Sequence, residues 1–67
     1  MKISARNQIA GTITGITKGA TTSHVTIDVG GNTITASITN EAVAELKLKV
    51  GEKATAIIKA SDVIVGV

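Results

Sequence analysis

The chain has 67 residues and a formal net charge of +2, and it contains no cysteine, no proline and no aromatic residue. A chain of this length buries only about 60% of the surface that its unfolded form exposes, so its own core is small. Disulfides are excluded, and a structural zinc site is disfavoured because the chain offers a single histidine. Apolar residues nevertheless make up 43% of the sequence. This surplus favours self-association as the way to complete the core.

No targeting or membrane segment is predicted. The N-terminus turns polar after Lys2, without the apolar region of a signal peptide. No apolar run approaches the ~20 residues that cross a bilayer. We therefore expect a cytoplasmic protein without a membrane partner, folded as a single domain over residues 1–67.

The first half of the chain has the pattern of β-strands. Apolar and polar residues alternate over residues 25–29 and 34–38, on either side of the turn sequence Gly30-Gly31-Asn32, which predicts a hairpin. An earlier strand carries Ile9 to Ile16, and its alternation breaks at Gly15. That break predicts a bulge or a bend.

One short helix is predicted after the hairpin. Thr39 or Asn40 can cap its N-terminus, and Glu41 is favoured in the first turn by the helix dipole. The apolar stripe of this helix is predicted to consist of Ala42, Val43 and Leu46.

The last third of the chain is again rich in valine and isoleucine. Residues 54–59 and 63–67 are predicted strands, interrupted at residues 60–62. The predicted fold is therefore all-β with one short helix, an OB-like five-stranded barrel with the helix between strands 3 and 4.

The sequence lacks the residues that most enzymes use. There is no cysteine nucleophile, the acidic residues are scattered, and His24 lies on the polar face of its strand without a Ser or Asp partner. We expect His24 to be a surface or interface residue and the protein not to be an enzyme. Nucleic acid binding is disfavoured because the chain has no aromatic residue on which bases could stack.

A small anion is a better match for the two ends of the chain. Ser4-Ala5-Arg6-Asn7 and Lys59-Ala60-Ser61 combine hydroxyl, charged and amide donors with small residues. Such donors can surround a tetrahedral oxyanion without forming a covalent bond. The alternative is that the first stretch is a solvated strand start and the second an ordinary turn.

The same ends read MKISARNQIAGTI over residues 1–13 and AIIKASDVIVGV over residues 56–67, and between them a Gly-Gly-Asn hairpin is followed by a short helix ending in ELKLKVG. Together these motifs resemble the molbindins, the small molybdenum-binding (Mop) proteins of the TOBE superfamily, over the whole chain. The resemblance implies a homo-hexamer, a trimer of dimers, that stores or buffers molybdate or tungstate in the cytoplasm. It implies no organic cofactor and no direct protein ligand to the metal.

The resemblance also implies binding sites between subunits. One kind of site would combine one subunit's S-A-R-N stretch with the K-A-S stretch of another; its residues here are Ser4, Arg6, Asn7, Lys59, Ala60 and Ser61. A second oxyanion site is implied near the threefold axes, and the turn Lys18–Ser23 offers Gly19, Ala20 and Thr22 for it. Two alternatives stay open: an OB-like module that binds nucleic acid or a protein, and an anion-binding protein for sulfate or phosphate.

Overall fold

The computed structural model describes residues 1–67 and contains one curled antiparallel sheet. Its elements are β1 (Asn7–Lys18), β2 (Thr22–Asp28), β3 (Thr33–Thr39), helix α1 (Asn40–Glu45), β4 (Lys53–Ile58) and a 3-10 turn (Ala60–Asp62). The strands lie in the order β3-β2-β1-β4. Because β3 and β4 do not pair with each other, the sheet is an open half-barrel with two free edges.

The core lies on the concave face of this half-barrel. Its buried centre consists of Ile13, Val25, Ile27 and Ala56. The alternation on β2 explains this arrangement. Val25 and Ile27 point toward the core, whereas His24, on the opposite face of the same strand, is exposed. Only 6 of 67 residues are buried, so much of the apolar surface predicted from the composition remains accessible in the single chain.

The predicted irregularity in the first strand is confirmed as a β-bulge. The register between β1 and β2 shifts between Ile13 and Gly15, which leaves Thr14 as the extra residue. The Thr14 hydroxyl lies 3.0 Å from the hydroxyl of Thr26 on β2 and holds the distorted segment against its neighbour.

The predicted hairpin is also confirmed, because β2 pairs with β3 from Thr22↔Thr39 to Asp28↔Thr33. Gly30 and Gly31 adopt φ angles of 77° and 95°, which residues with a side chain rarely adopt. The backbone N–H of Gly31 donates to the Asp28 carboxylate at 3.2 Å and stabilises the turn.

The predicted helix is present, and the structure selects Thr39 as its N-cap: the Thr39 hydroxyl accepts a hydrogen bond from the N–H of Ala42 at 3.1 Å. The prediction that Leu46 belongs to the buried stripe is wrong, since this side chain is 66% exposed. The helix ends at Glu45, and Lys47 then adopts a φ of 53°, which redirects the chain. Leu48 and Val43 pack against the core instead. None of the helices is long and apolar enough to cross a membrane.

The predicted strand over residues 63–67 is not formed, so the sheet has four strands and not five. Its neighbour in sequence, β4, pairs with β1 alone. A strand needs a hydrogen-bonding partner, and within the chain these residues have none. Ile64 and Val65 are accordingly 93% and 84% exposed.

Candidate functional site

The two terminal motifs lie side by side at one end of the β1–β4 ladder. Asn7 is the first residue of β1, and its ladder partner is Ile58, the last residue of β4. The Asn7 side-chain amide donates to the Ile58 carbonyl oxygen at 3.2 Å. The S-A-R-N stretch that enters β1 and the K-A-S stretch that leaves β4 are therefore neighbours although 51 residues separate Asn7 from Ile58.

The backbone conformation of the K-A-S stretch leaves backbone N–H groups free to donate hydrogen bonds. Lys59 is extended, with φ −63° and ψ 140°, and precedes the 3-10 turn without capping it through a side chain. The turn is closed by hydrogen bonds from the N–H of Asp62 to Lys59 at 2.9 Å and from the N–H of Val63 to Ala60 at 3.3 Å. The N–H groups at the start of such a turn have no acceptor within the turn and point outward from its N-terminal end. They are available to an acceptor placed there.

Side chains at this end of the ladder divide into anchoring and exposed groups. Ala5 is buried at 6% exposure, and its carbonyl oxygen accepts a hydrogen bond from the Gln8 side chain at 3.1 Å. Anchoring at Ala5 leaves its sequence neighbours Ser4 and Arg6 exposed. The K-A-S residues, which follow the end of β4, are exposed as well.

The two motifs themselves consist of donors and small residues, and the nearest carboxylate in sequence is Asp62, in the same 3-10 turn as Ser61. Arg6 and Lys59 carry positive charge, and Ser4 and Ser61 carry hydroxyls. Guanidinium, ammonium, hydroxyl and amide groups all donate to an oxyanion, and donors with a charge form the stronger bonds. The pairing of Asn7 with Ile58 places the two motifs next to each other at one end of the ladder, and a common site for their six residues stays a prediction. Their division between two subunits stays a prediction.

The second predicted site lies at the opposite end of β1. The turn that holds it is tight, since the N–H of Gly19 donates to the carbonyl oxygen of Thr22 at 2.8 Å. The Asn40 side-chain amide donates to the carbonyl oxygens of Gly19 and Ala20 at 3.1 and 3.4 Å. With these carbonyls occupied, the turn is held in one conformation beside the start of α1.

Sequence reasoning missed the residue that completes this arrangement. Ser23 is only 1% exposed, and its hydroxyl donates to the Asn40 side-chain oxygen at 2.6 Å. A signal was present in the sequence, because Ser23 lies in phase with Val25 and Ile27 on the apolar face of β2. A polar residue on a core face requires a partner.

His24 is exposed, and its ladder partners are Thr17 on β1 and Ser37 on β3. No group of three His, Cys, Asp or Glu side chains is placed to hold a metal ion. His24 therefore contributes to the polar outer surface of the sheet in the single chain.

Comparison with known proteins places this geometry in a family. The TOBE domain family matches residues 3–65. A probable molybdenum-pterin-binding protein of Haemophilus influenzae is 50% identical over 68 aligned positions, covering 100% of this chain and 99% of that protein. A molybdate-binding protein from Sporomusa ovata has the same fold, with a TM-score of 0.93, 40% identity and 97% coverage of both chains.

A third protein, the cytoplasmic molybdate-binding protein ModG, was solved with molybdate bound. It matches with a TM-score of 0.92 and 51% identity, over 96% of this chain and 46% of ModG. Full-length relatives of the same size and fold, together with the match over residues 3–65, establish the family. The chain belongs to the TOBE-domain family and, within it, to the molbindins, the small molybdenum-pterin-binding (Mop) proteins.

Proposed function

We propose that the protein is a cytoplasmic storage or homeostasis protein that binds molybdate or tungstate through hydrogen bonds. The observation that carries the proposal is the placement of the S-A-R-N and K-A-S motifs together, joined by the bond from Asn7 to the Ile58 carbonyl. Relatives of this chain are named as molybdenum-pterin-binding and cytoplasmic molybdate-binding proteins. These names describe binding and not catalysis, and they support a role without an enzymatic step.

The metal is held as an oxyanion. Arg6 supplies charge and orientation, while Ser4, Ser61 and backbone N–H groups at the 3-10 turn surround the oxygens. The Lys59 ammonium group makes the electrostatic potential at the site more positive. Each hydrogen bond to a charged acceptor contributes roughly 1.5–3 kcal/mol, so a handful of them accounts for tight binding without any bond from protein to metal. Molybdate binds and leaves with its four oxygens intact, and no proton needs to move at neutral pH.

Size is the basis on which such a site distinguishes molybdate from sulfate. Both are tetrahedral dianions, but the metal–oxygen bonds are longer than the sulfur–oxygen bonds. The donors flank the ends of two paired strands and cannot all move inward toward a smaller anion, so sulfate would leave some of them without a close acceptor. The small exposed side chain of Ala60 leaves room for the larger anion.

Assembly completes the site. In the single chain Ser4, Arg6, Lys59 and Ser61 are all exposed, and an anion there would remain in contact with water, which weakens each electrostatic interaction. A second copy packed against this end would exclude the water and add donors. The exposed apolar side chains and the buried set of only 6 of 67 residues support assembly, for which we propose a homo-hexamer arranged as a trimer of dimers.

The turn at the far end of β1 is the proposed second site. Its backbone is held by the Asn40 side chain, and the Gly19 N–H is used inside the turn, where it donates to Thr22. Gly19 therefore shapes the turn, and the N–H groups of Ala20 and Thr22 are the proposed donors to an oxyanion. Arranged around a threefold axis, equivalent turns from neighbouring copies would converge on one anion.

Native mass spectrometry tests the proposal directly. The purified protein is sprayed alone, with molybdate, with tungstate and with sulfate at equal concentration. We expect a hexamer that takes up several molybdate or tungstate ions and no sulfate. A protein that takes up molybdate and sulfate equally would contradict the proposed selectivity, and one that takes up neither would contradict the function.

A further inference from the structure

Three carbonyl oxygens of the turn between β1 and β2 face one residue, Asn40. The Asn40 side-chain nitrogen donates to the carbonyl oxygens of Gly19 and Ala20 at 3.1 and 3.4 Å. Its backbone N–H donates to the next carbonyl oxygen along the chain, that of Thr21, at 2.9 Å. Three consecutive carbonyls of one turn therefore accept hydrogen bonds from a single residue, the first of α1.

These bonds also fix the direction of three backbone N–H groups. In a trans peptide group the C=O and the N–H of the following residue point in opposite directions, and the chain has no cis peptide bond. Since the three carbonyls point toward Asn40, the N–H groups that follow them point away from it. These are the N–H groups of Ala20, Thr21 and Thr22. Those of Ala20 and Thr21 have no backbone acceptor within the chain, and all three residues are exposed.

Asn40 can orient the turn because its own side chain is fixed. The Ser23 hydroxyl donates to the Asn40 side-chain oxygen at 2.6 Å, and Ser23 is only 1% exposed. Rotation of the amide by half a turn would place its oxygen against two carbonyl oxygens, so only one orientation satisfies both sides. The side-chain nitrogen is therefore directed at the turn.

A run of backbone N–H groups that point the same way can bind an anion, because each contributes a donor and a partial positive charge. The paired carbonyls matter as well, since a carbonyl oxygen carries partial negative charge and repels an oxyanion. The turn also follows directly after the positively charged Lys18. Asn40 thus draws the acceptors of the turn to one side and leaves its donors on the other.

We propose that Asn40 is a positioning residue of the second oxyanion site. It presents the N–H of Thr21 as a donor between those of Ala20 and Thr22. Gly19 is not a donor in this arrangement, because its N–H is bonded to the Thr22 carbonyl oxygen at 2.8 Å. The inference rests on the proposed second site and is independent of the first site, at the other end of β1.

NMR titration of the full-length protein with molybdate tests the set of donors. We expect the amide resonances of Ala20, Thr21 and Thr22 to shift together and to saturate at one molybdate concentration. The Gly19 amide, which already has an acceptor, should shift less. Sodium chloride at matched ionic strength is the control. A Thr21 amide that does not move while its two neighbours do would overturn the inference and leave the second site standing.

The same titration separates the failure of the inference from the failure of the proposed function. No shift at any of the three turn amides would overturn the second site and the inference with it. The amides of Ser4 and Ser61 report independently on the first site in the same spectra. Because the titration needs no substitution, its result stands whether or not a variant folds.

Asn40→Ala tests the positioning role. The variant loses the side-chain bonds to two carbonyls, which frees the N–H groups of Ala20 and Thr21, whereas the backbone bond to the Thr21 carbonyl can remain. The molybdate affinity read from the turn amides should fall about tenfold, the effect of freeing roughly one residue of backbone. The affinity read at Ser4 should not change. Without anion, the NMR order parameters of Ala20 and Thr21 should also fall.

Two further variants distinguish positioning from a loss of stability. Ile27→Val removes a methylene from the core at the far end of β2 and should lower stability while keeping wild-type affinity at the turn. The double variant Ser23→Ala/Asn40→Ala leaves no unpaired hydroxyl in the core, yet its affinity at the turn should stay as low as that of Asn40→Ala. Wild-type affinity at the turn in Asn40→Ala or in the double variant would overturn the inference. An equal loss in Ile27→Val would assign the effect to stability and also overturn it.

Discussion

The hydroxyl of Ser23 lies 2.6 Å from the side-chain oxygen of Asn40 and donates a hydrogen bond to it. The Asn40 amide nitrogen in turn donates to the carbonyl oxygens of Gly19 and Ala20. This short network joins the β1–β2 turn to the first residue of α1, and its donor hydroxyl is almost completely buried. The conformation of the turn therefore depends on a side chain about 20 residues away in sequence.

Asn40→Ala tests the network through stability. The substitution leaves the buried Ser23 hydroxyl without an acceptor, so we expect the free energy of unfolding to fall by about 1–3 kcal/mol. Ser23→Ala should lower the free energy of unfolding by less than Asn40→Ala does. The double variant should lose less than the sum of the two single losses, because the two residues share one hydrogen bond. Asn32→Ala, at an exposed turn position, is the matched control. Strict additivity in urea unfolding would contradict the network.

Arg6→Ala tests the first site. Loss of a charged donor should weaken molybdate binding about tenfold or more, measured by isothermal titration calorimetry. Arg6→Lys keeps the charge but loses the planar guanidinium group with its several donors. Its affinity for molybdate should therefore lie between those of wild type and Arg6→Ala. Lys49→Ala removes the same charge from the connection between α1 and β4 and should bind like wild type. Wild-type affinity in Arg6→Ala would remove Arg6 from the site.

Asn7→Ala tests whether the cross-strand bond holds the two motifs together. The variant loses the hydrogen bond to the Ile58 carbonyl, which should cost roughly 0.5–1.5 kcal/mol of stability. The strand ends should then fray, and molybdate affinity should fall even though Arg6 is intact. Thermal unfolding and calorimetry would be run on the same samples, with Asn32→Ala as control. A variant that loses neither stability nor affinity would show that the bond does not position the site.

Gly11→Ala tests the close packing at the centre of the ladder. A Cβ there would meet the backbone carbonyl oxygen of Asp28 and approach the side chains of Ile27 and Val29 to 2.7 and 2.8 Å. Overpacking of this kind costs about 1–3 kcal/mol, and more where backbone must move. Gly15→Ala is the comparison, since its Cβ would meet only the Thr26 hydroxyl at 2.9 Å, which can rotate away. Equal losses in urea unfolding would contradict this difference.

The sequence by itself determined the elements whose signals are local. The hairpin at Gly30-Gly31, a bulge or bend near Gly15 and a helix cap at Thr39 or Asn40 could be predicted because alternation, turn chemistry and capping act over a few residues. The family could be identified as well, because the two terminal motifs are characteristic of it. Leu46 was mispredicted because a helical stripe does not reveal where the helix ends.

Only the tertiary structure decided which distant segments meet. The pairing of Asn7 with Ile58 and the Ser23–Asn40 bond join parts of the chain that no local pattern connects. The strand propensity of residues 63–67 was visible in the sequence, but whether they form a strand depends on a partner that the single chain does not provide. Propensity is a property of a residue and its neighbours, whereas pairing is a property of the edges that the fold leaves free.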